Sequence, residues 1–245
     1  MRHFALIGQK LGHSFSANFF NSKFAAEGID ADYQLIEIDD ISTIRDVVDR
    51  NALDGFNVTI PYKESIIPYL DELTKVAQEV GAVNCVEVND GKLIGHNTDI
   101  IGIEASLHWL DIVPNTKALI LGTGGASKAV QYALRKQEID YFVVSRLEGK
   151  GDMTYGQITD EILQSFKLII NATPVGMYPN IEECPTLNYS VLDSSHRIFD
   201  LVYNPAEPVL LKCAAERGAN TMGGMLMLQT QAIASWHIWR KCLDM

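Results

Sequence analysis

Apolar and polar residues along this chain fall into short runs whose period changes repeatedly. Phe4–Gly8 is an apolar run closed by glycine, the pattern of a buried strand. From Ser16 to Glu27 the apolar residues Phe19, Phe20, Phe24 and Ala25 recur at helical spacing, and Gly28 is a natural stop. Tyr33–Ile38 alternates as a strand does, Ile41 to Asn51 is helical, and Gly55–Ile60 predicts a strand that Pro61 ends. A helix is expected around Ser65 to Val80. Two short strands follow, Ala82–Asn89 and Lys92–Asn97, with Asn89-Asp90-Gly91 as a hairpin turn.

Beyond Asn97 the alternation is cleaner. Ile101–Leu110 is helical, and Ala118–Leu121 is a buried strand leading into Gly122-Thr123-Gly124-Gly125-Ala126-Ser127. A helix then runs to about Gln137, followed by strands at Tyr141–Val144, Leu168–Asn171 and Ile198–Leu201 with helical material between them. Strand and helix in alternation imply a parallel sheet with crossover helices. A last helix, about Met225 to Cys242, is too long and apolar to be a tail. The pattern predicts an α/β protein of two α/β domains with a boundary near Asp99–Gly102.

Composition narrows the class of function. The chain has 245 residues, 47% hydrophobic and 21% charged, with 31 acidic against 20 basic residues and a net charge of −11. Nucleic acid and anionic membrane both demand a basic face, so neither is an expected partner. Any anionic small ligand has to be held by a few local basic groups. Cys85, Cys184, Cys213 and Cys242 are widely spaced, form no metal-like pair and point to reduced thiols. The apolar run at Phe4 to Ile7 is too short for a signal-peptide core, and no stretch is long enough for a spanning helix. A cytoplasmic protein without metal is expected.

The turn Gly122-x-Gly124-Gly125, with Ala126 behind it, follows a strand and opens a helix. Glycines there permit a tight turn and a close approach of backbone to phosphate, while the helix amino end offers free N–H groups. Such turns also occur without a ligand, so the next strand matters. An NAD site carries Asp or Glu about 20 residues on, for the ribose hydroxyls. This chain has Ser145-Arg146 there, and an arginine suits a 2′-phosphate, which favours NADP over NAD. Glu148 nearby leaves NAD open.

The amino-terminal half carries a set of polar residues at strand ends. His13-Ser14-Phe15-Ser16 places two hydroxyls two residues apart; Ser16 is equally well read as a helix N-cap. Asn57-Val58-Thr59 ends a strand before Pro61 and Lys63, Asn84 interrupts an apolar strand, and Asn97-Thr98-Asp99 precedes the boundary. Together they suit a small polyol bearing a carboxylate. Dehydrogenating an alcohol requires a group to take the hydroxyl proton as hydride leaves, and Lys63 with Asp99 is the attractive pair. A free lysine is a poor base at neutral pH; desolvation favours its neutral form, a neighbouring Asp its charged form. Lys63 as base, or as charged donor to the carbonyl with Asp99 orienting it, both remain open.

These segments, taken in order, resemble shikimate dehydrogenase over nearly the whole chain. The matching stretches are Gly12-His13-Ser14-Phe15-Ser16, Gly55 to Lys63, Gly81-Ala82-Val83-Asn84, Gly95 to Asp99, Gly122 to Ala126, Asn171 to Met177, Asp200-Leu201-Val202-Tyr203, and Gly224-Met225-Leu226 with Gln229. The resemblance implies reversible NADPH-dependent reduction of 3-dehydroshikimate to shikimate in the chorismate and aromatic amino acid pathway. Hydride transfer would be assisted by Lys63 and Asp99. It implies shikimate contacts from Ser14, Ser16, Asn57, Thr59, Lys63, Asn84, Asp99, Tyr203 and Gln229. Cofactor contacts would come from Gly122, Gly124, Gly125, Ala126, Ser145, Arg146, Thr173, Leu201 and Gly224. It also implies a substrate domain with a mixed sheet, residues 1–100 plus 225–245, and a Rossmann-like NADP domain with a parallel sheet, residues 101–224, in a monomer or homodimer. Where the family often has Pro, Thr and Gly, this chain has Ala17, Leu147 and Met222. The neighbouring reading is an NAD-preferring quinate/shikimate dehydrogenase. Lys63 and Asp99 speak against a catalytically silent nucleotide- or shikimate-binding module, and Ser14, Ser16 and Gln229 against a folate or glutamyl-tRNA type of dehydrogenase.

Overall fold

The computed structural model describes residues 1–12 and 14–241; His13 and Cys242, singled out in the sequence, lie outside the described residues. The chain forms two compact units, residues 1–98 with the stretch from Ala232, and Asp99–Gln231. Asp99 and Ile100, and residues 225–231, therefore go with the second unit rather than the first.

The first unit contains β1 (Arg2–Gly8), α1 (Phe15–Glu27), β2 (Ala31–Glu37), a 3-10 turn at Ile41–Thr43 running into α2 (Ile44–Arg50), β3 (Gly55–Val58), β4 (Glu72–Leu73), α3 (Lys75–Val80), β5 (Cys85–Asn89) and β6 (Lys92–His96). Its sheet has the order β2-β1-β3-β5-β6-β4. β1 is parallel to β2 and β3, while β3–β5 and β5–β6 are antiparallel, so the sheet is mixed. The β5–β6 hairpin turns at Asp90 and Gly91, whose φ values of 49° and 76° match the paired left-handed conformations of a tight hairpin.

The helix expected over Ser65 to Val80 is not continuous. Pro68, which has no N–H to donate, sits in a short 3-10 turn at Ile67–Tyr69, and the chain then extends into β4 beside β6. The Asp71 carboxylate accepts from Leu93 N at 2.7 Å, fixing that extension. Only then does Thr74 cap α3, accepting from Ala77 N at 3.3 Å.

The second unit contains α4 (Asp99–Trp109), β7 (Ala118–Leu121), α5 (Gly125–Lys136), β8 (Tyr141–Ser145), β9 (Met153–Thr154), α6 (Asp160–Ser165), β10 (Leu168–Asn171), β11 (Arg197–Asp200), α7 (Val209–Ala215), β12 (Asn220–Met222) and the first turns of α8 (Met225–Lys241). All its strand pairs are parallel, in the order β12-β11-β10-β7-β8-β9. The chain runs outward from β7 through β8 and β9, returns to β10 on the other side of β7, and runs outward again. That reversal between β7 and β10 creates a crevice at the carboxyl ends of the two strands, the place where doubly wound sheets bind ligands.

Each unit has its own core. In the first, Ala5, Ile7, Phe56 and Val86 pack on one sheet face against Ile44 and Val47 of α2, while Phe4, Phe20, Phe24 and Tyr33 meet Trp236 and Trp239 of α8 on the other. Phe4 stacks on Trp239 with ring centroids 4.9 Å apart. Gly55 lets that indole approach β3: a Cβ there would lie 2.5 Å from the Trp239 ring. In the second unit, Leu119, Leu121, Ile169 and Ile198 of the sheet pack with Leu163, Leu210 and Leu211. Among the described residues no helix is long and apolar enough to cross a membrane, and no cluster of side chains could hold a metal ion.

Candidate active site

In the second unit the glycine turn lies directly at the end of β7. Gly122 has φ of +109°, and a Cβ on it would lie 2.8 Å from the Thr173 methyl and 3.1 Å from Ala172 O. Both backbone conformation and space thus demand glycine. Gly124 is the N-cap of α5, extended, with no side-chain cap and open space where its Cβ would be. A glycine cap leaves the first N–H groups of α5 without a side-chain acceptor, and the first turn carries no acidic residue. This cradle fits a diphosphate. Ser127 turns inward instead, fully buried, its hydroxyl accepting from Gln131 Nε2 at 3.2 Å.

At the end of β8, Ser145 is buried and its Oγ accepts from Leu147 N at 3.0 Å. This tight turn leaves Arg146 exposed at the strand end, followed by exposed Leu147, Glu148, Gly149 and Lys150. The Arg146 charge pulls back the phenol of Tyr155, which burial pushes above its ordinary value. The arginine is thus free for a ligand anion, while the Ser145 hydroxyl is already engaged by the backbone.

Two residues absent from the expected site organise the neighbouring strand ends. Asn171 and Asp200 face each other in register at the last positions of β10 and β11, both fully buried. Asn171 Nδ2 donates to Asp200 Oδ1 at 2.9 Å, and Asn171 Oδ1 accepts from Thr173 N and Oγ1 at 3.1 and 2.6 Å. Burial pushes the Asp200 carboxyl up to about 7, against hydrogen bonds from Val202 N and Asn171 that favour the charged form. A polar residue closing an otherwise apolar strand was the available signal. Leu201 and Tyr203 follow Asp200 and are half-buried, and burial pushes the Tyr203 phenol up. Gly224 packs backbone on backbone: a Cβ there would lie 2.2 Å from Leu201 O. Gln229 is exposed on α8, and Asp99 is buried in the first turn of α4.

The first unit links most of its expected site residues into one network. Tyr33 Oη donates to Asn57 Oδ1 at 2.8 Å, and Asn57 Nδ2 donates to Asn84 O and Ser235 Oγ, both at 3.0 Å. Both amide hydrogens of Asn57 are therefore spent internally. Asn84 Nδ2 donates to Thr98 Oγ1 at 2.9 Å, and Asn84 Oδ1 accepts from Thr98 N at 2.6 Å, which holds the chain at the residue before Asp99. Ser16 joins through Tyr33, whose phenol burial pushes well up, aided by Cys85 and opposed by the Ser16 hydrogen bond. Ser14, not Ser16, caps α1, its Oγ accepting from Ser16 N at 3.2 Å. Thr59 is half-buried just past β3, its N donating to Ile7 O. Lys63 is also half-buried, and its carbonyl accepts from Val83 N at 2.7 Å, beside Asn84. Tyr33 and Ser235 were not expected at the site, and Thr98 was singled out only within Asn97-Thr98-Asp99; all three act on site members through side-chain bonds that no local pattern reveals.

The amino-terminal segment, residues 6–86, matches the model of the shikimate dehydrogenase substrate binding domain. A relative from Methanococcus maripaludis named shikimate dehydrogenase (NADP(+)) is 37% identical over 251 residues, covering 96% of this chain and 90% of its own. The chain belongs to the shikimate dehydrogenase family. Among solved structures, family member shikimate dehydrogenase 1 from Peptoclostridium difficile is 37% identical with a TM-score of 0.87, over 98% of this chain and 92% of that one. The shikimate 5-dehydrogenase of Thermus thermophilus, solved with NADP(H) and shikimate, is 29% identical with a TM-score of 0.86, over 98% and 93%. Family membership spans both units, so the glycine cradle and the polar network belong to one enzyme class.

Proposed function

We propose that this chain is an NADP-dependent shikimate dehydrogenase, reducing 3-dehydroshikimate to shikimate reversibly, in the cytoplasm and as a monomer or homodimer. The observation that carries the cofactor reading is Arg146, exposed at the end of β8 where a carboxylate would select NAD. The residues present fit the nucleotide. Gly122, Gly124, Gly125 and Ala126 would hold its diphosphate at the α5 amino end, Arg146 its 2′-phosphate, with Ser145 shaping the turn. Thr173, Leu201 and Gly224 would line the remainder. When bound, NADP supplies the acceptor for the two electrons and the hydrogen of the alcohol carbon.

The substrate set is Ser14, Ser16, Asn57, Thr59, Lys63, Asn84, Asp99, Tyr203 and Gln229, divided between the two units. Hydroxyls and amides recognise a polyol, and Lys63 adds the one cation that set contains. Asn57, whose amide hydrogens are already used, serves by holding Asn84 and Tyr33 in place. Lys63 handles the proton of the reacting hydroxyl, and Asp99 orients it.

The test is reduction of NADP and of NAD, in parallel, by purified protein with shikimate and with quinate. Turnover of shikimate with NADP is expected. Quinate turnover with NAD would move the chain to the broader quinate/shikimate dehydrogenases, and inactivity with every pair would overturn the enzyme reading. In the same assay Lys63→Ala should lower kcat by roughly 10²–10⁴-fold, the usual weight of a proton-transferring group, with a much smaller rise in KM. A loss confined to KM would remove Lys63 from the chemistry.

A further inference from the structure

The Asn171–Asp200 pair has no part in the reaction as assigned, yet both residues are completely enclosed, Asn171 at the end of β10 where the strand order reverses and Asp200 beside it at the end of β11. Asn171 is saturated. Its amide donates to Asp200 Oδ1 at 2.9 Å and Val175 O at 3.3 Å, and its carbonyl accepts from Thr173 N and Thr173 Oγ1. Two donors and two acceptors on so short a side chain are met only by asparagine. Asp200 Oδ1 accepts a second bond, from Val202 N at 3.0 Å, while Oδ2 is buried without a partner.

A buried oxygen left unpartnered destabilises the fold. Asp200 Oδ1 is a fixed acceptor facing two donors, Asn171 Nδ2 and Val202 N. From this pair the contacts lead outward in two directions. Thr173 Oγ1 accepts from Val175 N, and the Thr173 methyl abuts Gly122, whose Cβ it would exclude. On the other side Val202 O accepts from Gly224 N at 3.0 Å, at the start of α8, and Leu201 O lies where a Gly224 Cβ would fall. Four of the residues assigned to the cofactor, Gly122, Thr173, Leu201 and Gly224, are thus set by one buried amide–carboxyl pair.

We propose that Asn171 and Asp200 are positioning residues for the nucleotide, a side-chain clasp between β10 and β11 that places the two loops lining the cofactor. This rests on the reading of the second unit as an NADP site. It touches no ligand itself; it acts through Thr173, Leu201 and Gly224.

The experiment compares wild type, Asn171→Asp, Asp200→Asn and the double exchange Asn171→Asp/Asp200→Asn by steady-state kinetics, NADP titration and thermal unfolding. Asn171→Asp keeps the shape but turns acceptor against acceptor, and should raise KM and Kd for NADP about tenfold or more, the weight of one to two lost hydrogen bonds. KM for shikimate, most of whose assigned contacts lie in the first unit, should move about threefold or less. Asp200→Asn, which retains the Oδ1 acceptor, should stay within about threefold of wild type for NADP. The double exchange restores a donor–acceptor pair and should recover part of the NADP affinity lost in Asn171→Asp. Lower melting temperatures with unchanged NADP constants, or no recovery in the double exchange, would overturn the clasp. If Asn171→Asp does not fold, Asn171→Ala takes its place, removing the clasp without adding a charge: NADP constants equal to wild type in that variant would overturn the proposal. Wild type that neither binds NADP nor turns over would instead defeat the cofactor reading, and the clasp with it.

Discussion

Asp200 is a carboxyl that the fold holds partly protonated at neutrality, and this makes stability depend on pH in an unusual direction. In the unfolded chain its pKa is the ordinary 3.8, and in the folded chain burial lifts it to about 7. Between those values the folded state keeps a proton the unfolded state has lost, so stability falls as pH rises through the window and is flat on either side. With about 1.36 kcal/mol per pH unit, the contribution is at most about 4 kcal/mol. Asp193 has the opposite sign: the Ser195 hydroxyl and His196 hold its carboxyl well below the usual range, and its stabilisation is lost only as the solution becomes strongly acidic. That side chain is 56% exposed, so solvent screening makes its share small. Asp200→Asn removes the proton exchange near neutrality. Urea denaturation at pH 5 and pH 8 should show wild type losing stability relative to the variant between the two. Parallel behaviour of both proteins would mean that the carboxyl does not titrate in that range.

Elements with a strong repeating pattern or glycine punctuation were legible from sequence: α1 ending at Gly28, the β5–β6 hairpin at Asp90-Gly91, and β7 opening through Gly122 and Gly124 into α5. The failures have a common cause. β4, β9 and β12 are two or three residues long and exist because a neighbouring strand offers them hydrogen bonds, so no periodicity announces them. Around residues 65–80 the apolar spacing resembles a helix, but Pro68 and the pairing of β4 with β6 break it. At the site, glycines, the Lys63 and Asp99 charges and the hydroxyl and amide side chains at strand ends stood out, whereas Tyr33, Ser235, Asn171 and Asp200 act through partners distant in the chain. Ser14 illustrates the overlap, being both the cap of α1 and an assigned substrate contact. Glycine replaces a serine cap at a cost of only a few tenths of a kcal/mol. Ser14→Gly should therefore leave the melting temperature nearly unchanged while raising KM for shikimate. An unaltered KM would show that the hydroxyl serves the helix alone.

At the scale of the whole molecule, two units with separate sheets and separate cores share one chain of net charge −11. On the proposed assignment, a cofactor carrying several negative charges is attracted locally, by Arg146 and by the amino end of α5, rather than by the protein's overall field. Every residue assigned to NADP lies in the second unit, whereas the residues assigned to shikimate lie in both. This division has a direct consequence for amide exchange, because ligand contact slows local opening where it occurs. NADP alone should protect the turn at Gly122–Gly125, the loop at Arg146–Gly151 and the stretch from Thr173 to Gly176, leaving the first-unit sheet unchanged. Shikimate alone should protect amides around Ser14–Ser16 and Thr59–Lys63 in the first unit, and around Asp99 and Tyr203 in the second. Protection of the Ser14–Ser16 segment by NADP would move part of the cofactor site into the first unit. Protection by shikimate confined to the first unit would remove Asp99, Tyr203 and Gln229 from the substrate set and leave Lys63 without its assigned partner.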